Sequence, residues 1–177
     1  EKEKVVKHYA AMGIKGFKVD FMDRDDQEMV DFMWKAAAIC ASHTMLLDYH
    51  GTCKPFGLQR TYPNVINYEG VNGLEQLKWK KQGYDQVTYD LTFPFIRMLA
   101  GPVDYTQGAM RNATQKGYYP NNHEPMSQGT RCRQLAEYII FESPFNMLCD
   151  TPINYMKEQE CTDFISSVPT IWAETVA

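Results

Sequence analysis

Gly13-Ile14-Lys15-Gly16-Phe17-Lys18-Val19-Asp20-Phe21-Met22-Asp23-Arg24-Asp25-Asp26 is the stretch whose reading decides the fold. Gly13 can close a helix, because glycine enters the left-handed conformation that helix ends favour. The run from about Gly16 to Phe21 alternates apolar and charged residues and reads as a buried strand. Asp25 or Asp26 then offers a side-chain oxygen to cap a following helix. A buried strand tolerates Lys18 and Asp20 only near its end, since an unpaired buried charge is costly. That puts Asp20 at the carboxyl end of the strand, where α/β folds gather their chemistry.

Outward from this stretch, Val5, Val6, Tyr9, Ala10 and Met12 recur at helical spacing from Glu1 to Met12. On the other side, Met29, Phe32, Met33, Ala36 and Ile39 predict a helix reaching about Ser42, its methionines facing the core. Thr44 to His50 reads as a second strand and Asn64 to Glu69 as a third, each ending in polar residues, with a Gly- and Pro-rich loop over 51–63 between them. Strand, helix and strand in parallel is the βαβ unit. Gly70 and Gly73 form a turn that returns Glu75 to the same end, so successive strands deliver Asp20, His50 and Glu69 to one face. Residues 76–90 read as an excursion loop and Leu91 to Ala100 as a helix started by Pro94 and ended by Gly101. Pro102 to Tyr105 reads as a fourth strand, followed by a polar loop to Gly129. Arg131 to Glu142 reads as an amphipathic helix and Phe145 to Asp150 as a fifth strand. Asp163 to Ile165 closes a last helix and Thr170 to Val176 looks extended.

Four to five βα units specify an α/β fold with a parallel sheet. No G-x-G-x-x-G or Walker motif follows the first strand, which argues against a nucleotide-binding doubly wound sheet. Polar residues at successive strand ends suit a (β/α)8 TIM-type barrel. Such a barrel takes about 250 residues, so residues 1–177 are expected to be a single partial barrel domain, its later half, and a piece of a longer chain.

Composition narrows the function. A net charge of −4 without a clustered basic stripe argues against nucleic acid. No run of about 18 apolar residues predicts a membrane span, and no basic-then-apolar signal peptide opens the chain. Five cysteines lacking C-x-x-C spacing indicate neither a zinc site nor a disulfide framework, and are read as mostly buried free thiols. Aromatics at 13% suit a carbohydrate cleft and a large core equally.

Carboxylates at strand ends, Asp20, Glu69 and Glu75, with His50 and Asp104 nearby, allow three kinds of chemistry. They can act as a pair in glycoside hydrolysis, hold a hard cation through oxygen, or bond sugar hydroxyls. Strand-end carboxylates also commonly cap helices and pair with lysines. Asp104 and Glu124 divide between substrate contact and helix capping, His50 between sugar contact and structural hydrogen bonding. Lys18 reads as the counter-charge of Asp20, and Arg24 with Asp23, Asp25 and Asp26 as a solvated cluster.

The runs Lys18 to Gln27, Asp48-Tyr49-His50-Gly51, Arg60 to Asn64, Asn67-Tyr68-Glu69-Gly70 through Gly73-Leu74-Glu75, Gly101 to Thr106 and Pro169-Thr170-Ile171-Trp172 together resemble the catalytic barrel of glycoside hydrolase family 97. The resemblance implies α-glucosidase or α-galactosidase chemistry of the kind found in gut Bacteroidetes, on an oligosaccharide or α-galactoside, in a periplasmic or secreted enzyme. It implies a β-sandwich before the barrel and a β-domain after it. Glu75 would be the general acid, and Glu69 with Glu75 would belong to a calcium site that also draws a ligand from the sandwich. Inverting members carry a glutamate directly after the His of the Asp-Tyr-His run, where this sequence has Gly51. Retaining members, associated with α-galactosidase activity, place an aspartate nucleophile at the position of Asp20. The resemblance thus implies a retaining α-galactosidase with Asp20 and Glu75 catalytic; Lys18, His50 and Asp104 are, from their own positions, the candidates for substrate contact. Alternatives are an α-glucosidase of the same family, a non-catalytic sugar-binding fragment, and a barrel enzyme using Lys18 as a Schiff-base nucleophile.

Overall fold

In the computed structural model, which describes residues 1–80 and 83–176, Gly13 adopts φ +89° after α1 (Lys2–Ala11) and turns the chain into β1 (Gly16–Val19). Asp26 caps α2 (Gln27–Ser42), its Oδ1 accepting the Met29 N–H at 3.1 Å. β2 (Leu46–Tyr49), the short α3 (Leu58–Thr61) and β3 (Val65–Tyr68) follow. The three strands form one parallel sheet in chain order, with Lys18 opposite Asp48 and Asp48 opposite Asn67. Period-2 geometry sends alternate side chains to opposite faces. Leu47 and Tyr49 therefore pack with Met33, Ala37 and Cys40 of α2, all at most 2% exposed, while Lys18, Asp48 and His50 take the other face. Burying each large apolar side chain in such a core contributes about 1.5–3 kcal/mol.

Beyond β3 the regular pattern stops. Residues 76–90, expected as a loop, contain a 3-10 turn (Leu74–Trp79) and the start of α4 (Gln86–Thr92); Asp85 caps α4 through Thr88, a start signal masked by the polar surroundings. The expected Leu91–Ala100 helix is broken into α4, α5 (Pro94–Arg97) and a 3-10 turn (Met98–Ala100), because Pro94 supplies no N–H to continue α4. Pro102 to Tyr105 is extended beside β3 but forms no ladder: Asp104 N–H donates to the Tyr68 carbonyl and Val103 N–H to that of Glu142. Phe145 to Asp150 is irregular rather than a fifth strand, its backbone tied down by Ser143, Asn67 and Tyr138 side chains. The two-residue pair β4 (Asn112–Ala113) and β5 (Ser127–Gln128) carries no sequence signal.

Helix α6 (Arg131–Ile140) matches the amphipathic run, and α7 (Pro152–Lys157) and α8 (Gln159–Ser167) extend the last helical segment well before Asp163. Thr170 to Val176 has no regular structure. A second core joins Phe93, Tyr105 and Phe141, with ring centroids 4.8–5.4 Å apart. All five cysteines are free thiols, as expected, but only Cys40 is buried. No helix among the described residues is long and apolar enough to cross a membrane.

Candidate active site

Asp20, His50 and Glu69 each directly follow the last residue of β1, β2 and β3, so parallel pairing sets them on one rim. The turn carrying Glu75 docks there by its backbone: Leu74 N–H donates to the Tyr105 carbonyl at 2.9 Å. A side chain at Gly73 would place its Cβ 2.7 Å from that same oxygen, which is why glycine stands there.

His50 is the hub. Its Nδ1 lies 2.8 Å from Asp104 Oδ2, and its Nε2 lies 3.4 Å from both Glu69 Oε1 and Glu75 Oε1. Burial pulls the imidazole down, but the bonds to Asp104 and Glu75 and the charge of Glu69 outweigh it and push it up to about 10. Of the two functions weighed for His50, the structure shows the hydrogen-bonding one. The same His50 bond holds Glu75 below the usual carboxylate range against the effect of burial, whereas burial raises Glu69.

Lys18 reaches Asp104 Oδ2 at 2.6 Å and Asp48 at 3.9 Å, so its partner is Asp104 and not Asp20, correcting the expected pairing. Lys18 and Asp20 both point off β1, but Asp20 lies beyond the strand end, where its Oδ1 accepts the Phe21 N–H at 2.6 Å. An ideal Cβ built at Gly51, which has φ +56°, would fall 2.7 Å from that Oδ1 and 2.9 Å from the Phe21 nitrogen. Residue 51 and the Asp20 carboxylate compete for one space.

Glu124 is not in the cluster; it pairs with Arg111 at an exposed position. Arg24 sits in solvent as expected and pairs with Asp26, but its second partner is Glu28 rather than Asp23 or Asp25. Sequence reasoning overlooked Asp48, 2% exposed with both carboxylate oxygens lacking a hydrogen bond and pushed up to about 8 by burial and by Asp104. Its spacing of two from His50 was the available signal, because i and i+2 share a strand face. Thr106, with φ +63°, lines the same side of the site. A cleft of about 220 Å³ opens beside Glu75, lined by Lys18, Leu74, Thr106, Tyr118, Met126 and Met147.

His50, Glu69 and Glu75 hold their possible ligand atoms within 4.8 Å of one another. Glu69 Oε1 is buried and has no hydrogen-bond partner, which fits a cation in need of carboxylate oxygens. Calcium takes oxygen ligands, so the donors suited to it are the two glutamates.

Residues 1–71 match the family model described as glycoside hydrolase 97. The chain is 66% identical over 98% of its length to a retaining alpha-galactosidase of Bacteroides thetaiotaomicron, and 29% identical over 99% to a probable retaining alpha-galactosidase of Streptomyces bingchenggensis. It covers 26% and 25% of those proteins, so it spans about a quarter of the length of the curated relatives it matches. Among solved structures, a beta-arabinopyranosidase superposes with a TM-score of 0.83 at 26% identity, over 98% of this chain and 27% of the other. A glycoside hydrolase family 97 enzyme from Pseudoalteromonas sp. in complex with acarbose superposes with a TM-score of 0.78 at 28% identity, over 99% and 28%. The parallel sheet presents clustered carboxylates at its carboxyl rim. The likeness to glycoside hydrolase family 97 covers residues 1–71 by the family model and 99% of the chain by the solved structure from Pseudoalteromonas sp..

Proposed function

We propose that this chain is the later part of the (β/α)8 catalytic barrel of a longer enzyme that hydrolyses α-linked galactosides with retention of configuration. The observation that carries the reading is the competition at Gly51. A side chain at position 51 would crowd the Asp20 carboxylate, its Cβ falling 2.7 Å from Asp20 Oδ1. In this reading the Asp20 carboxylate attacks the anomeric carbon as the C1–O bond breaks, and Glu75 gives its proton to the leaving oxygen. Glu75 then takes a proton from water, which attacks C1 and frees Asp20. A retaining pair works at a carboxyl separation of about 5–5.5 Å, whereas inversion leaves about 6.5–9.5 Å for a water.

Glu75 must be protonated to begin, and its pKa is lowered in the free site. Its side chain is 34% exposed and borders the cleft, while that of Glu69 is 7% exposed and accepts the Gly51 N–H at 2.7 Å. A sugar that expels water from the cleft raises Glu75 toward its task; Glu69 has no such access. Lys18, His50 and Asp104 form the charged floor against which sugar hydroxyls are held. Lys18 is engaged as the counter-charge of Asp104, which weighs against its use as a Schiff-base nucleophile. Glu69 and Glu75 would hold a calcium ion, which would supply fixed positive charge beside the scissile bond. The identity to a retaining alpha-galactosidase supports the choice of galactoside over glucoside. The reading includes a preceding β-sandwich, a following β-domain and a periplasmic or secreted location.

Proton NMR of the first turnover by the full-length enzyme is the test: the sugar released first should be the α anomer, and initial β anomer would remove Asp20 from the role of nucleophile. Asp20→Gly should abolish turnover, and azide should restore part of it as a β-glycosyl azide. Parallel assays on nitrophenyl α-glucoside separate an α-glucosidase, and binding without turnover would identify a sugar-binding domain.

A further inference from the structure

Arg97, the last residue of α5, is 6% exposed, yet among the described residues it meets no carboxylate. A buried guanidinium without a counter-ion is costly unless every N–H is bonded. Here all of its bonds go to main-chain carbonyls. Nε donates to Gly70 O at 3.1 Å and Nη1 to Gly101 O at 3.0 Å. Nη2 lies 3.0 Å from the carbonyls of Tyr68 and Glu69 and 2.9 Å from that of Pro102. Three of these carbonyls belong to the end of β3 and the turn after it, and two to the segment that leads into Asp104.

Those two segments lack the ladder that a regular fourth strand would supply. Among the described residues the carbonyls of Glu69, Gly70, Gly101 and Pro102 receive no backbone N–H, and one bond, Asp104 N–H to Tyr68 O, links the strand ends directly. The guanidinium stands in for the missing rungs. What it spaces is the site itself: Glu69 lies on one side and Asp104 on the other, and both reach His50, which also faces Glu75.

We propose that Arg97 is a positioning residue that sets the separation of the Glu69 and Asp104 strand ends and, through His50, the placement of Glu75. The role rests on the hydrolase reading above. It requires the planar fork: a lysine at this depth offers three donors from one point and cannot reach carbonyls on both sides.

The test uses the full-length enzyme and compares kcat/KM for nitrophenyl α-galactoside with that for an α-galactosyl disaccharide, whose poorer leaving group needs a well-placed acid. Arg97→Lys should lower the disaccharide value about 100-fold or more and the nitrophenyl value no more than about 10-fold, since displacing a catalytic group by about 1 Å costs roughly that factor. Millimolar guanidinium should restore disaccharide cleavage to Arg97→Gly, and ammonium should not. Equal losses on both substrates, tracking the folded fraction by circular dichroism, would overturn the positioning role. If the Arg97 variants do not fold, Gly101→Ala provides the graded version. It keeps the guanidinium and strains the φ +132° that aims one acceptor. The same split at reduced size supports the role, and equal losses reject it. A wild-type enzyme that cleaves neither nitrophenyl α-galactoside nor nitrophenyl α-glucoside would instead sink the hydrolase reading, and the positioning role with it.

Discussion

In residues 1–71 the main chain bonds mostly to itself, through a three-strand parallel ladder and two long helices. In residues 83–155 side chains do much of that bonding. Gln134 Oε1 accepts the N–H groups of Gly108 and Ala109, Gln86 and Gln128 each accept the other's N–H, and Asp150 accepts that of Met110. Tyr138 and Tyr155 donate to the carbonyls of Gln107 and Gly108. The contrast teaches that the two regions should respond differently to substitution. A ladder survives most side-chain changes, whereas a buried polar network fails when one member is lost, because its partner stays desolvated and unpaired.

The largest effect should follow Arg133→Met. Arg133 lies between Asp90 and Glu137, whose side chains are each 3% exposed. Leaving those carboxylates without their cation should cost about 3–5 kcal/mol, read by chemical denaturation of the full-length protein. A cost below about 1 kcal/mol would dissolve the contrast.

The same cluster should give the second region its own pH dependence. Burial pushes Asp90 up to about 6, against the opposing bonds from Tyr105 and Arg133. A carboxyl raised in the fold binds its proton more tightly folded than unfolded, so its contribution is full below about pH 4 and is lost as pH rises through about 6. Melting temperatures from pH 4 to 7.5 should fall less steeply for Asp90→Asn than for the wild type; parallel slopes would remove Asp90 as the source.

At the ladder's rim, Gly51→Ala should be the exception among first-region substitutions. Its new Cβ would press on Asp20 at a backbone φ of +56°, costing about 1–3 kcal/mol and about 100-fold in turnover. Wild-type kinetics for this variant would show that Asp20 is free to move aside. The smallest effect is expected at Thr130, which caps α6 through the Arg133 N–H at 3.2 Å. Thr130→Ala should cost about 1 kcal/mol in a melt, a local loss that leaves the network standing.

The first region was legible because each of its signals is local: Gly13, the alternation through Val19, the Asp26 cap and the polar strand ends all act within a few residues. His50, Glu69 and Glu75 were legible as a cluster for the same reason, since strand ends of a parallel sheet face one way. Asp48 could have been read from its spacing to His50 and was not. Pro102 to Tyr105 misled because an extended, apolar run looks the same whether its carbonyls meet a neighbouring strand or a guanidinium.

The sequence by itself determined the α/β order, the identity of the carboxylates and the presence of glycine rather than an acid at position 51, since propensity, periodicity and residue chemistry travel with the chain. Tertiary structure alone decided that Lys18 pairs with Asp104, that His50 joins three carboxylates, and that Arg97 closes the gap after β3. The contacts of Lys18, of His50, and of Arg97 with the end of β3 join residues from 19 to 86 positions apart. Such pairings depend on which partners burial brings within about 3 Å, and hydrogen bonds and ion pairs are selective only at that range.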